Sequence, residues 1–334
     1  MSSLPPQPAG ALDPGSTTVG SPESRIARLV GPRRFVLESQ VVPDPPPGYV
    51  CVRIVACGVC ASELHTVQED LASYPVELGH EPVGIVEAIG LGVEELIEGT
   101  RVTGGFGPSF ADRVVADCRS VVKVPDDLRT EDAIGEPLGC ALEARRRTRV
   151  TEGDRIAIVG VGYMGLLMLH LLGVTGAGHV LVVDPREDAR RTALTFDATE
   201  AVDPDELAAG EADGSFDVVI EATGAQDGLD LATRLVREHG VVSILGYHQA
   251  PRTVDMQTWN WKAIDVVNAH VRRRDLLNDA IRSGLELTRL GRIRPGDLIT
   301  HRFGLDGVGE AFAALSDKPA GYIKSVVIME GDAG

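Results

Sequence analysis

The chain has 334 residues, 43% of them apolar and 24% charged; this is length for two globular domains with a sizeable core, and it excludes wholesale disorder. Lys and Arg number 32 against 49 Asp and Glu, a net charge of −17, so long-range repulsion opposes nucleic acid and anionic membrane as partners. Five cysteines, an odd count with no framework spacing, argue for a reducing, cytoplasmic setting, where a cysteine is a metal ligand or a buried small side chain and not half of a disulfide.

Residues 1–24 are rich in Pro, Gly and Ser, with neither a charged n-region nor an apolar h-region, and read as a floppy leader and not a signal peptide. From Arg25 to about Leu142, short runs broken by Gly and Pro follow closely: RIARLV, RFVLESQVV, YVCVRIVACGV, GIVEAIG, TRVTGG, ADRVVAD and SVVKVP. They predict a mainly β domain, a partly closed barrel. The basic run Arg145, Arg146, Arg147 and Arg149, like Arg272, Arg273 and Arg274 further on, reads as a solvated face. Between Glu152 and Ala269 the rhythm changes to the continuous apolar strands RIAIVG, HVLVVD, FDVVIEA, GVVSILG and IDVVNAH, separated by the helical stretches LLMLHLLGV, EDARRTALTF and GLDLATRLVRE. Such an α/β alternation is what a doubly wound parallel sheet covered on both faces requires. DLLNDAIRSGLELTRLG then reads as an amphipathic helix, and the strands DLITHRF and YIKSVVIM around the helix VGEAFAAL suggest a return to the first domain. The expected division is a leader over 1–24, a β domain over 25–145 and 276–334, and a dinucleotide-binding domain over 146–275. No stretch reaches 18 uncharged apolar residues, so no membrane span is expected.

Strand RIAIV runs into Gly160-Val161-Gly162-Tyr163-Met164-Gly165 and then into a helix. In that context Gly160 permits the tight turn, Gly162 lets backbone approach a pyrophosphate, and Gly165 lets helix pack on strand. The helix start offers N–H groups and a positive dipole end to the phosphates. Asp184, 24 residues after Gly160, ends the next strand, where a carboxylate accepts ribose hydroxyls and repels a 2′-phosphate. This favours NAD over NADP, with Arg186 keeping the alternative open. Thr223, Gly246 and Tyr247 lie at further strand ends, where ligands of such sheets sit.

A second cluster lies in the β domain: Cys57-Gly58-Val59-Cys60-Ala61-Ser62-Glu63-Leu64-His65, then Gly79-His80-Glu81-Pro82. Cys57 and Cys60 alone could be half of a zinc knuckle or a redox pair, but there is no second CxxC and no thioredoxin-like context. A better reading joins Cys60, His80 and Glu81 as S, N and O ligands of a zinc ion with one position open, the mark of a catalytic site.

GVCASELH, GHEPVG, GEPLGCAL, VGVGYMG with Asp184, and VVIEATG stand in an order that resembles the medium-chain, zinc-dependent alcohol and polyol dehydrogenases, over roughly Arg25 to Met329. The resemblance implies a GroES-like catalytic domain beside the Rossmann domain. It implies Cys60 and His80 as zinc ligands, Glu81 as ligand or close neighbour, and Glu136 at the metal or one water away, with Cys140 in reserve. It assigns Ser62 and His65 to the relay that carries the alcohol proton out, and Glu63, where the family usually has Asp, to orienting the ligating histidine. A dimer or tetramer is typical of the family, and AIDVVNAH at a sheet edge is a plausible pairing surface.

Two departures stand out. The four-cysteine lobe that follows the equivalent of Gly99-Thr100-Arg101-Val102 is absent, so one catalytic zinc and no structural zinc is expected. The runs Gly246-Tyr247-His248-Gln249 and Trp259-Asn260-Trp261 have no assigned family role and read either as packing or subunit contact, or as a wall of the substrate or nicotinamide pocket. The implied chemistry is consistent: zinc lowers a bound water's pKa from about 15.7 to about 7, on the order of 12 kcal/mol of charge stabilisation, and Ser62 and His65 suit the departing proton. The expected activity is hydride transfer between NAD(H) and a secondary alcohol of a polyol, cyclitol or sugar-like substrate. The alternatives are a redox-neutral epimerase holding NAD tightly, a zinc-free quinone or enone reductase, and a non-enzymatic dinucleotide-binding protein.

Overall fold

The computed structural model describes residues 23–329 apart from 208, 209 and 211. Residues 1–22 of the expected leader lie outside that range, and Glu23 and Ser24 already belong to the strand Glu23–Gly31. The protein combines a Rossmann-like parallel sheet with a GroES-like β domain. No described helix is long and apolar enough to cross a membrane.

The parallel sheet has six strands in the spatial order Glu200–Val202, His179–Val183, Arg155–Val159, Phe216–Glu221, Val236–Ile244 and Asp265–Asn268. Its central strands are apolar on both faces because helices cover both, and Ile156, Ala157, Ile158 and Val159 are all buried. The registers align the strand ends: Val183 pairs Val159, Val159 pairs Glu221, Glu221 pairs Ile244, and Ile244 pairs Asn268. The residues that follow, Asp184, Gly160, Ala222, Leu245 and Ala269, therefore form one carboxyl edge. Chain order reverses between Arg155–Val159 and Phe216–Glu221, the switch point where such sheets bind ligands.

The second sheet has seven strands. Its spatial order is Ile299–Gly304, Lys324–Ile328, Tyr49–Gly58, Glu81–Ile89, Arg101–Gly104 and Val121–Lys123, with Arg113–Asp117 also paired to Tyr49–Gly58. Two strands from the C-terminal part of the chain thus pair in the sheet built by the N-terminal part.

Three elements differ from the sequence pattern. The helix expected over GLDLATRLVRE ends at Leu235, and Val236 begins a strand by pairing with Phe216. The helix Gly135–Thr148 forms where only motif residues were recognised. It packs against the helix Arg274–Arg289 so closely that a Cβ on Gly139 would lie 2.6 Å from Ile281 and one on Gly284 2.6 Å from Leu138. Its basic end is not a plain solvated face either: Arg146 donates to Asp279 and Ser283, and Arg147 to the His270 carbonyl. Third, the WNW run forms the helix Met256–Lys262.

Because the Leu138 side chain it would meet is fully buried, Gly284→Val is expected to destabilise the protein by about 1–3 kcal/mol, read as a lowered denaturant midpoint with unchanged slope. A second expectation concerns His170, on the helix Tyr163–Gly173, whose ring lies 4.2 Å from that of Phe196. Burial first, and then the nearby Arg294, lower its pKa from 6.5 to about 4. The unfolded chain therefore binds this proton more readily, and the His170 contribution to stability is full above about 6.5 and lost as pH falls towards about 4. Urea midpoints measured across that window should fall on acidification, and fall less in His170→Gln.

Candidate active site

Strand register builds the metal-binding group. Gly58 pairs Glu81 on one side and Val326 on the other, so the loop that starts at Val59 emerges between His80-Glu81 and Lys324. Ligand atoms of Cys60, His80 and Glu81 all lie within 4.8 Å of one another. Behind them Glu63 Oε1 sits 3.0 Å from His80 Nδ1 and accepts from the Gly79 N–H at 2.8 Å. With Nδ1 engaged by a carboxylate, Nε2 is the nitrogen of His80 left to ligate. A thiolate, an imidazole and a carboxylate converging at this spacing fit a zinc ion.

Lys324, 4% exposed, faces the same group. Its Nζ lies 2.6 Å from Glu81 Oε2 and 4.6 Å from the centre of the Tyr163 ring. Burial weighs against charge on Glu81, but the Lys324 ammonium, with help from His80, outweighs it and holds the carboxyl below its usual range. Burial likewise opposes protonation of His80, and its hydrogen bonds with Cys60 and Glu63 carry the ring well above its usual value.

Glu136 enters from the helix Gly135–Thr148, whose first N–H donates to Thr103 Oγ1 while Thr103 donates to the Pro82 carbonyl. It stands beside the compact group and not in it, accepting from the Cys140 thiol at 3.2 Å. Burial pushes both the Glu136 carboxyl and the Cys140 thiol up. Cys57 is fully buried in the core, and its thiol donates to its neighbour's carbonyl at 3.6 Å. Ser62 Oγ donates to Cys60 Sγ at 3.2 Å, whereas His65 Nε2 pairs with Glu69 at 3.0 Å. Ser62 thus touches the cluster through Cys60, whereas His65 is engaged with Glu69.

At the sheet's carboxyl edge, Gly160 takes φ +90°, and a Cβ on Gly165 would stand 2.1 Å from the Gly160 carbonyl. Nothing lies within 4 Å of the Cβ position of Gly162, so a ligand can approach there. Asp184 accepts from the Val161 and Arg186 N–H groups, both at 2.9 Å. The Arg186 side chain donates to the Tyr322 carbonyl at 3.0 Å while its Nε stays 3.7 Å from Asp184 Oδ1. Met164 is half-buried, and the Tyr163 side chain is buried with Lys324 over its ring. Thr223 donates to the buried Glu221. Gly246 and the exposed Tyr247 follow, with the Tyr247 ring edge-on to His270 at 5.8 Å. The WNW run lies elsewhere: Trp259 donates to Thr233 on the helix Gln226–Leu235, and Trp261 is 79% exposed.

Two domain models match this chain, the alcohol dehydrogenase GroES-like domain over residues 46–144 and the zinc-binding dehydrogenase domain over 160–285. The chain belongs to the medium-chain dehydrogenase superfamily. Among curated relatives of this dehydrogenase, D-xylulose reductase of Saccharomyces cerevisiae is 27% identical, covering 90% of this chain and 96% of its own length. L-idonate 5-dehydrogenase of Vitis vinifera is 27% identical, covering 84% and 88%. Among solved structures, a protein of Sinorhizobium meliloti described as a zinc-binding dehydrogenase bound to NADP is 26% identical, with a TM-score of 0.82 over 92% of this chain and 99% of its own. Both halves of the dehydrogenase are therefore those of NAD(P)-dependent zinc alcohol and polyol oxidoreductases.

Sequence reasoning missed Lys324 in this dehydrogenase. The signal was available: a single lysine opening the buried strand KSVVI needs a partner charge. The expected consequence of the Glu63 contact is that Glu63→Ala, which frees the His80 ring, weakens zinc binding by about 10–100-fold. Competition with a chromophoric chelator measures it, and wild-type affinity in the variant would rule the contact out as an orienting one.

Proposed function

We propose that this dehydrogenase transfers a hydride between NAD(H) and a secondary alcohol or ketone of a polyol, cyclitol or sugar-like substrate. The observation that carries the reading is the convergence of Cys60, His80 and Glu81, with Glu63 behind His80, in a chain whose other sheet carries the dinucleotide fingerprint. A zinc ion there would stabilise a developing alkoxide while nicotinamide takes the hydride. Cys60 and His80 are its ligands in this proposal. Glu81 supplies an oxygen whose charge Lys324 balances, and Glu136 stands ready one step further out, with a single zinc per chain.

Ser62, whose hydroxyl lies 3.2 Å from the ligating thiol, takes the substrate proton. The proton reaches His65, half-exposed and paired with Glu69, through an intervening hydroxyl or water, because the two side chains have other partners. NAD is preferred over NADP, since Asp184 presents a carboxylate at the ribose position, with Arg186 divided between that carboxylate at 3.7 Å and the Tyr322 carbonyl. Polyhydroxylated substrates are favoured by the carboxylate-rich surroundings of the metal group and by the polyol dehydrogenases among the relatives. The strand Asp265–Asn268 at the sheet edge, with Val266 exposed, supports a homodimer or homotetramer.

A panel of polyols, cyclitols and amino sugars offered with NAD and NADP, followed by absorbance of the reduced nicotinamide, tests the reading. Reduction of NAD by at least one polyhydroxylated substrate is expected, with NADP slower and Asp184→Ala narrowing the difference. Silence across the panel would defeat it, and so would tightly bound stoichiometric NAD with turnover indifferent to added cofactor, which is the behaviour of an epimerase.

A further inference from the structure

The segment after the strand Val236–Ile244 reaches from the dinucleotide-binding sheet to the metal-bearing loop. Within it His248 is held from both sides. Its Nε2 lies 2.8 Å from Glu221 Oε2, and Arg252 Nε lies 2.9 Å from its Nδ1. A guanidinium can only donate, so Nδ1 accepts and Nε2 carries the proton that Glu221 receives; the partners assign the tautomer. Glu221 is fully buried and also accepts from the Thr223 N–H at 2.7 Å, the Gly224 N–H at 2.9 Å and the Thr223 hydroxyl. Arg252 Nη2 returns to the Gly224 carbonyl at 2.7 Å. Both ring nitrogens are therefore anchored, directly or through Arg252, to the turn that ends the strand Phe216–Glu221. The next residue, Gln249, extends outwards, and its Nε2 donates to the Ala61 carbonyl at 3.4 Å, between Cys60 and Ser62.

We propose that His248 is a positioning residue and that Gln249 is the contact it positions, so that the pair braces the loop carrying Cys60 and Ser62 against the dinucleotide-binding sheet. Its catalytic consequence rests on the dehydrogenase reading, because hydride transfer needs the carbinol and the nicotinamide held at a set separation. The brace itself is a property of the free chain and is tested without substrate.

The test is peptide-level hydrogen exchange on the zinc-loaded full chain, with parallel NADH titrations by fluorescence. His248→Phe keeps a ring but no polar atom, whereas His248→Gln offers an NH2 donor and a carbonyl acceptor in place of the two ring nitrogens. His248→Phe should speed exchange about tenfold in both 246–252 and 60–65 and loosen NADH by a similar factor, the scale of one lost hydrogen bond. His248→Gln should stay within about threefold of wild type on the same scale. Gln249→Ala removes an exposed side chain, so it folds whatever His248→Phe does. It should speed exchange in 60–65 and leave 246–252 unchanged. Wild-type exchange of 60–65 in Gln249→Ala overturns the brace, and so does a His248→Gln variant as fast as His248→Phe. Neither readout needs turnover, so an enzyme inactive on every alcohol but showing this exchange pattern still supports the brace.

Discussion

Two opposite charges buried together organise this protein. Glu81 and Lys324 are 1% and 4% exposed with 2.6 Å between them, and either alone would be an uncompensated charge in the interior. The pair exists because Glu81 and Lys324 open two strands that flank the end of Tyr49–Gly58. It therefore stitches the C-terminal strand to the metal-bearing loop. Lys324 also lies over the ring of Tyr163, at the first turn of the fingerprint helix, so one ammonium touches both the metal group and the dinucleotide-binding half.

Strand register does the same for the cofactor edge. Five strands of the parallel sheet end level with one another, which places the fingerprint turn, Asp184, the Glu221 turn and the segment containing His248 side by side. Two of the carboxylates there serve backbone first: Asp184 accepts two N–H groups and Glu221 another two. Charges that looked anonymous in an acidic chain hold turns in shape at the places where a ligand would meet them.

Elements dictated by local pattern were readable in advance. The continuous apolar strands and the fingerprint turn follow from periodicity and from the spacing of Gly160, Gly162 and Gly165 between a strand and a helix. The group Cys60, His80 and Glu81 was readable because its donor types suit one metal. What failed was what local pattern does not encode. VRE continues an amphipathic helix on paper, yet Val236 pairs with Phe216 and turns it into strand. Tyr163 occupies a cofactor position in the motif, yet its side chain turns inwards to a lysine that follows it by more than 150 residues.

Read alone, the chain determines its two kinds of sheet, the turn that meets a dinucleotide and a donor set for zinc, because these depend on residue type and short spacing. Tertiary structure alone decided that Lys324 balances Glu81, that Arg186 reaches the Tyr322 carbonyl, and that Gln249 crosses to Ala61. Each of these contacts joins residues far apart in the chain, and for Glu81 and Lys324 the partner is fixed because the interior has removed water as an alternative.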